Sequence, residues 1–395
     1  MSSEALIFEG CNFFRQRIIY SLLSGRRISI KDIRLKSEDP GIHDIRLKSE
    51  DPGIHEQESK LLSLIELLTN GTKIHISKTG TIVHFDPGMI HGGQLEFDCG
   101  TARCISYFLE AVLMIAPFCK IPMNLTLRGV TNAFDELSVD AVRATWLPIF
   151  NKFVLNDENL SLKVKCRGFK PDGGGVVHFT APIVKTLRPI LREKPGKICK
   201  IRGLAYVCKV GASVGHRMIQ SAKETLRDYI SDIYITVDQR KGVSGGNSPG
   251  FGLFLYAETT EGVYYHGEAT SLPRDSEGDQ LIPEEVGQKA AVSLLEEIHR
   301  GGCCDLSAQA LAFSFITLCE KNVSKILVGP LSTYSVETLR NLRIFFEQVF
   351  KIDEYWKAHP EDEESENETK RIGSREKAIV TGVGVGFTNL NKITL

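Results

Sequence analysis

Arg167-Gly168-Phe169-Lys170-Pro171-Asp172-Gly173-Gly174-Gly175-Val176-Val177 is the stretch on which the reading of this chain turns. It lies between two strand-like runs, Leu162–Cys166 and Val176–Phe179. Pro171-Asp172 followed by three glycines is turn chemistry, because proline presets φ and glycine reaches positive φ at no steric cost. Three glycines are more than a hairpin needs. The surplus lets a backbone come very close to something, either another strand or a phosphate chain. Arg167 and Lys170 bias the turn towards an anion; the plainer reading is a long hairpin loop with solvated cations. No Gly-Lys-Ser/Thr follows, so the stretch is not a Walker loop.

At 395 residues the chain is long for one core, and two domains are expected. Hydrophobic residues make up 42% and charged residues 25%, a globular composition, and the net charge of −1 gives no global attraction to nucleic acid or membrane. Any basic surface is therefore local. Phe13–Leu23 is interrupted by Arg15, Gln16 and Arg17, so no signal peptide is expected, and no apolar run approaches the roughly 20 residues of a membrane span. The ten cysteines form no C-x-x-C and no Cys/His cluster at zinc spacing. No metal is expected, and cysteine reads as a small core residue of a reduced intracellular chain. His75, His84 and His178 read as strand residues rather than ligands.

Outward from the glycine turn, helices and then paired strands recur about every 90 residues. Before it come a strand at Ala5–Phe8, helices at Phe13–Ser24 and Lys60–Leu68, and a hairpin over Thr72–Phe85. Then follow a strand at Gln94–Cys99, an apolar helix over Thr101–Ile115, a strand at Met123–Arg128 and a helix over Val139–Phe153. Asp32–His43, DIRLKSEDPGIH, is repeated letter for letter by Asp44–His55. A perfect 12-residue tandem is too short and too exact for a solenoid unit. One copy is expected to fit the fold and the other, somewhere in 32–55, to loop out at small entropic cost.

After the turn the pattern breaks. Lys185–Lys209 carries eight lysines and arginines against one acid, Glu193, and is the most basic stretch of the chain. Strand, helix, strand and hairpin patterns follow to Tyr265. The chain is accordingly divided into residues 1–184, an inserted α/β domain at 185–281, and a closing part at 282–395. The closing part reads as helices at Pro283–His299, Ser307–Leu318 and Val336–Phe350, with strands at Lys325–Val328 and Ala378–Val385. Pro360–Thr369, PEDEESENET, reads as a solvated acidic loop.

These elements, in this order, resemble the RNA 3′-terminal phosphate cyclase family over essentially the whole chain. The residues that carry the resemblance are Glu9-Gly10 with Arg15-Gln16 and Ser24-Gly25, Thr69-Asn70-Gly71, Pro87-Gly88, His91-Gly92-Gly93, Arg128-Gly129-Val130-Thr131, the Arg167–Gly175 turn, Gly250-Phe251-Gly252 and Gly301-Gly302. The resemblance implies an α+β fold of three repeated βαβαββ-type modules with a smaller α/β domain inserted before the third.

Cyclases of this family carry AMP on a histidine and pass it to an RNA 3′-phosphate, a role that needs a nucleophilic imidazole. The histidine follows a Gly-Pro turn, here Gly329-Pro330-Leu331-Ser332-Thr333-Tyr334, so the resemblance puts Tyr334 at the nucleophile position. A phenol with a pKa near 10 is a poor substitute. The family's Asp-Gln pair, which helps hold the nucleotide, falls on Ala310-Leu311. Its glycine cluster falls on Gly10-Cys11-Asn12-Phe13, where one glycine remains. Three losses imply that ATP binding and adenylyl transfer are gone, and with them any cofactor. The chain thus looks like the cyclase-like, non-catalytic subfamily of eukaryotic ribosome biogenesis. That implies a nucleolar place in the small-subunit processome, early processing towards 18S rRNA and the 40S subunit, and contact with a ribosome-assembly GTPase. It also implies proximity to the box C/D small nucleolar ribonucleoprotein and pre-rRNA. Alternatives are a pre-rRNA endonuclease and a residual cyclase. Arg15, Arg128, Arg167 and Lys170 are expected to converge beside Gly173, Gly174 and Gly175 as an anion or RNA site, with Tyr334 at its wall. Lys197 and Lys200 form the rival site.

Overall fold

The computed structural model describes residues 4–36, 48–49, 51–156, 158–273, 276, 278, 280–355, 374 and 376–390. The acidic stretch Pro360–Thr369 and residues 37–47 and 50 of the tandem lie outside them.

Three four-stranded sheets follow one another along the chain. The first is built from β1 (Leu6–Glu9), α1 (Phe14–Ser24), β2 (Ile28–Lys31), α2 (Glu56–Leu68), β3 (Lys73–Ile76) and β4 (Val83–Asp86). The second has β5 (Gly92–Asp98), α3 (Ile105–Ile115), β6 (Ile121–Gly129), a helical run, β7 (Ser161–Cys166) and β8 (Gly175–Ala181). That run starts at Val139, passes through a π-helical Val142–Trp146, and ends in α4 (Leu147–Val154). The third sheet starts with β9 (Leu191–Arg192). A separate sheet interrupts it, made of β10 (Ile198–Cys208), α5 (Ala212–Leu226), β11 (Ile233–Arg240), β12 (Gly250–Thr259) and β13 (Tyr264–Thr270). Then come α6 (Pro283–Arg300), α7 (Gln309–Leu318), β14 (Val323–Val328), α8 (Thr333–Phe346), β15 (Lys351–Glu354) and β16 (Ala378–Val383).

The strand orders are β1-β2-β4-β3, β5-β6-β8-β7 and β9-β14-β16-β15. In each, the first two strands are parallel and the rest antiparallel. The interrupting sheet differs, with order β11-β10-β12-β13. Its edges fall inside the expected 185–281 block: Leu191–Arg192 pairs with Lys325–Ile326 instead, and α6, which follows the block, packs on α5 and β13. A two-residue edge strand with an arginine carries almost no periodic signal, which is why β9 is absent from the sequence reading.

The packing follows from the apolar faces. In α3, ISYFLEAVLMI, every residue but Tyr107 is buried, and Glu110 is its one charge. The helix packs against α1 and α7, and α1 in turn packs on α8, so the first and last sheets' helices meet. One continuous apolar core runs through all three sheets, and seven of the ten cysteines are buried, as their strand and helix positions suggested.

The tandem resolves in an unexpected way. The front of the first copy and the back of the second act together as one unit. Ile33 is fully buried and its N–H bonds to Thr81 O at 3.0 Å. Arg34 forks onto both oxygens of Glu58 at 2.7 Å and reaches Gly53 O at 2.9 Å, while Ile54 N–H bonds to Gly80 O at 3.1 Å. Leu35–Lys36 pairs with Lys48–Ser49. His55 then caps α2, its N–H bonding to Glu58 Oε2 at 2.8 Å, so the helix starts earlier than its apolar pattern indicates.

Candidate functional site

Tyr334 sits in the first turn of α8, whose N-cap Ser332 accepts from Ser335 N–H at 3.0 Å. Its ring lies 5.8 Å from that of Phe13, at the entrance to α1. Its hydroxyl accepts from Arg15 Nη2 at 3.0 Å and donates to Glu110 Oε1. Arg15 Nη2 also pairs with Glu110 Oε2, and Arg15 Nη1 donates to Tyr107 O at 3.0 Å. The guanidinium lies 4.4 Å from the centre of the Tyr107 ring. Three side chains from three helices therefore close on one another: α1 gives the cation, α3 the anion, α8 the phenol.

The electrostatics match this closure. Burial disfavours the Arg15 charge, but Glu110 and Tyr334 more than offset it and hold the guanidinium above its ordinary range. Burial pushes the Tyr334 phenol up; Arg15 pulls it down and Glu110 pushes it up again, leaving it well above an ordinary tyrosine. The phenol is a fixed neutral donor, which is the opposite of what a nucleophile at neutral pH requires.

A buried polar seam extends from this cluster. Gln16 donates to Thr338 Oγ1 at 2.7 Å and accepts from Asn341 Nδ2 at 3.1 Å. Ser335 Oγ donates to Gln309 Oε1 at 2.7 Å. Gln309 is thus the polar residue of α7 that reaches Tyr334's helix. Ala310 and Leu311, expected at a degenerate nucleotide site, belong to the apolar core at 2% and 1% exposure. Just before Cys11 and Asn12, Arg17 Nη1 donates to Gly10 O at 2.9 Å, and its guanidinium lies over the Phe8 ring. Phe13 takes the left-handed conformation there, φ 57°, at a position where the resemblance expects glycine.

Each of the cations expected to converge is already paired with a carboxylate. Arg15 is held as described, and Arg128 pairs with Glu96 on an exposed sheet face. Lys170 pairs with Glu136 at 2.6 Å. Arg167 is 1% exposed and binds Asp140 at 2.7 Å, Asp238 at 2.8 Å and Asn132 at 3.2 Å, with its guanidinium over the Tyr206 ring. Each cation finds an acid supplied by another element, which spacing in the chain cannot show. In the rival stretch, Lys200 pairs with Glu258 at 3.0 Å and Arg202 with Asp232 at 2.8 Å, so those cations are not bare either; Lys197 is exposed.

The surplus glycines serve another backbone. Asn247 N–H bonds to Gly173 O at 3.0 Å, Asn247 Nδ2 to Asp172 O at 3.0 Å, and Arg167 N–H to Ser244 O at 3.0 Å. A Cβ on Gly174 would stand 2.8 Å from Asn247, and one on Gly246 would stand 2.3 Å from Arg167 O. Gly175 is pressed against Gly129 and Gly168 in the same way. The 167–175 turn is therefore a docking strip for segment 244–250 of the interrupting sheet, of the two alternatives the backbone rather than the phosphate.

Beside this strip, the loop Ala133–Leu137, β13 and α6 line an open cleft of about 400 Å³. His266 lines it and bonds through Nδ1 to Asp305 Oδ2 at 2.7 Å. Burial disfavours the imidazolium but Asp305 outweighs it, raising its pKa to about 9.

A sequence model of the RNA 3′-terminal phosphate cyclase family matches residues 6–352. The chain is 57% identical over 395 residues, the full length of both chains, to the probable RNA 3′-terminal phosphate cyclase-like protein of Caenorhabditis elegans. It is 43% identical over 394 residues to the RNA 3′-terminal phosphate cyclase-like protein of Homo sapiens, covering 99% of this chain and 98% of that one. With the rRNA processing protein rcl1 of Schizosaccharomyces pombe it shares 36% identity over 351 residues, 88% of this chain and 92% of that one. With the glycine turn, the Gly-Pro turn before Tyr334 and the matched span together, the chain belongs to the RNA 3′-terminal phosphate cyclase family and stands among its cyclase-like members.

Proposed function

We propose that this protein is a non-catalytic, cyclase-like factor in the processing of ribosomal RNA. The observation that carries the first half is the closed Arg15–Glu110–Tyr334 cluster. The residue at the nucleophile position is a locked phenol, and the nearest cation is committed to a carboxylate. The second half is supported by the 36% identical relative named for rRNA processing. On this reading the protein acts in the nucleolus, in the small-subunit processome, towards 18S rRNA and the 40S subunit. Its partners are a ribosome-assembly GTPase and, directly or through other proteins, the box C/D particle and pre-rRNA. The three sheets of like strand order are three copies of one module, and the interrupting sheet, which runs from Ile198 to Thr270 within residues 185–281, is an inserted domain.

The test has two arms. Purified protein and the Tyr334→His variant are incubated with ATP and magnesium and weighed intact; neither is expected to gain AMP, because the imidazole would face Glu110 and Arg15 without a seated nucleotide. In cells depleted of the protein, Tyr334→Phe is expected to restore pre-rRNA processing, since a ring without a hydroxyl still packs on Phe13. AMP on the unchanged protein, or failure of a well-folded Tyr334→Phe, would falsify the non-catalytic reading, and adenylylation of Tyr334→His at cyclase-like rates would mean that the nucleotide pocket is intact.

A further inference from the structure

The interrupting sheet has two faces, and α5 and α6 pack on one of them. Ile201, Ala205 and Val207 of β10 and Leu253, Leu255 and Ala257 of β12 point to that side and are fully buried. The residues between them point the other way. Ala141 and Phe169 cover one end of this second face by packing on Tyr206, Cys208 and Phe254. The other end is open. Strand register sets its side chains in rows. One row reads Tyr234–Arg202–Tyr256 across β11, β10 and β12, and the next reads Lys200–Glu258–Tyr264 across β10, β12 and β13. Tyr234 is 63% exposed, and Arg202, Tyr256 and Tyr264 are half-buried. The rings of Tyr256 and Tyr264 are 6.2 Å apart. Tyr234 and Tyr256 are two strand spacings apart, about 10 Å, with Arg202 between them.

Three aromatic rings interleaved with two cations on an open sheet face answer a particular chemistry. An unpaired base offers a π-face to a ring whatever its identity, and cations between the rings take the phosphates that link the bases. Lys200 and Arg202 are paired with Glu258 and Asp232, but at the surface, where such pairs are weak and a phosphate can replace the carboxylate. That separates them from Arg15, whose pair with Glu110 is buried. A duplex keeps its base faces stacked inside and cannot use the rings. A protein partner also favours tyrosine and arginine, but it wants an apolar centre to the patch, and Leu204 is the one aliphatic side chain on the open rows.

We infer that the open face of the interrupting sheet is a stacking platform for single-stranded RNA, with bases on Tyr234, Tyr256 and Tyr264 and the backbone on Lys200 and Arg202. The choice of RNA rests on the rRNA reading, and the platform adds to that reading a surface remote in the chain from the Arg15–Glu110–Tyr334 cluster.

A short fluorescein-labelled oligouridine is titrated against the purified full chain by anisotropy, beside the same strand without bases and an RNA duplex of equal length. The oligouridine is expected to bind, with the abasic strand and the duplex at least tenfold weaker. Tyr234→Ala and Tyr256→Ala are each expected to weaken it about fivefold or more. Tyr234→Phe is expected to keep the affinity, since stacking needs the ring and not the hydroxyl. Two cations on the backbone give an expected slope of about −1.4 for log K against log salt. Should Tyr256→Ala fail to fold, Tyr234→Ala decides, because that side chain is exposed. Tyr229→Ala, an exposed tyrosine just past the end of α5, is expected to change nothing. Equal binding of the abasic strand, unchanged affinity in the alanine variants, or binding of no strand would each overturn the platform. Because the purified chain is measured, a platform that fails while depleted cells still mis-process pre-rRNA removes this surface and leaves the rRNA reading standing.

Discussion

Glu110 is the residue that closes the cluster around Tyr334. It is 5% exposed, the one charge of a mostly apolar helix, and its two oxygens hold Arg15 and Tyr334. Glu110→Gln leaves Arg15 charged and buried without its anion, and such half-broken pairs cost about 3–5 kcal/mol. Denaturant titration at neutral pH is expected to show a loss of that size, with Tyr334→Phe much milder. His266 makes a different, pH-dependent contribution. Its pKa rises on folding from 6.5 to about 9, so the stabilisation is complete below pH 6.5 and lost as pH climbs through 9. The difference corresponds to about 3 kcal/mol. His266→Gln is expected to flatten the fall in stability between those pH values. Sequence exposed Tyr334 because a motif led to it. Glu110 was visible only as a lone acid in an apolar run, a signal that names an oddity but no partner.

At the scale of elements, the tandem repeat yields the sharpest expectation. Any window of twelve residues removed from 32–55 leaves the same sequence, so deleting Asp44–His55 is the same operation as deleting 37–48. The ends that the fold uses, Ile33-Arg34 and Gly53-Ile54, survive the deletion intact. The shortened protein is therefore expected to melt at the same temperature or slightly higher, since loop closure becomes a little less costly. A fall equivalent to roughly 2 kcal/mol would mean that both copies are packed. The amphipathic helices and the two hairpins over 73–86 and 161–181 were legible because their periods are strong. What escaped was decided by long-range pairing. β15 takes its strand form only against β16, and α8 stops at Phe346 where Glu347 turns left-handed, φ 58°, rather than running to Phe350. The cations around the glycine turn were read as a set, yet each is claimed by a different acid, up to 95 residues away in the case of Arg15.

At the scale of the molecule, Arg167 ties the second sheet to the interrupting one. Asp140 and Asp238 come from the two sides and meet on its guanidinium. Burial alone would raise both carboxyls, but Arg167 pulls them below the ordinary aspartate range. Their contribution is present above about pH 3.8 and disappears as pH falls below it. Arg167→Met strands two acids, one of them fully buried, and denaturant titration is expected to show its largest loss at neutral pH, shrinking as pH falls and the two carboxyls take up protons. Limited proteolysis is expected to find the 244–250 strip before the rest. The meeting of α1 with α8 has a consequence for how the chain is made. Gln16 finds Thr338 across 322 residues, and Arg15 finds Tyr334 across 319. At about 5–20 residues per second, a growing chain holds Arg15, Gln16 and Tyr20 for roughly 15–65 s before their partners are synthesised. Until then water meets the polar face of the first helix, but its apolar residues that pack on the last one, Tyr20 against Phe345 among them, stay uncovered. The last step of folding therefore waits for the last helix, and a nascent chain halted before residue 333 presents apolar surface to chaperones.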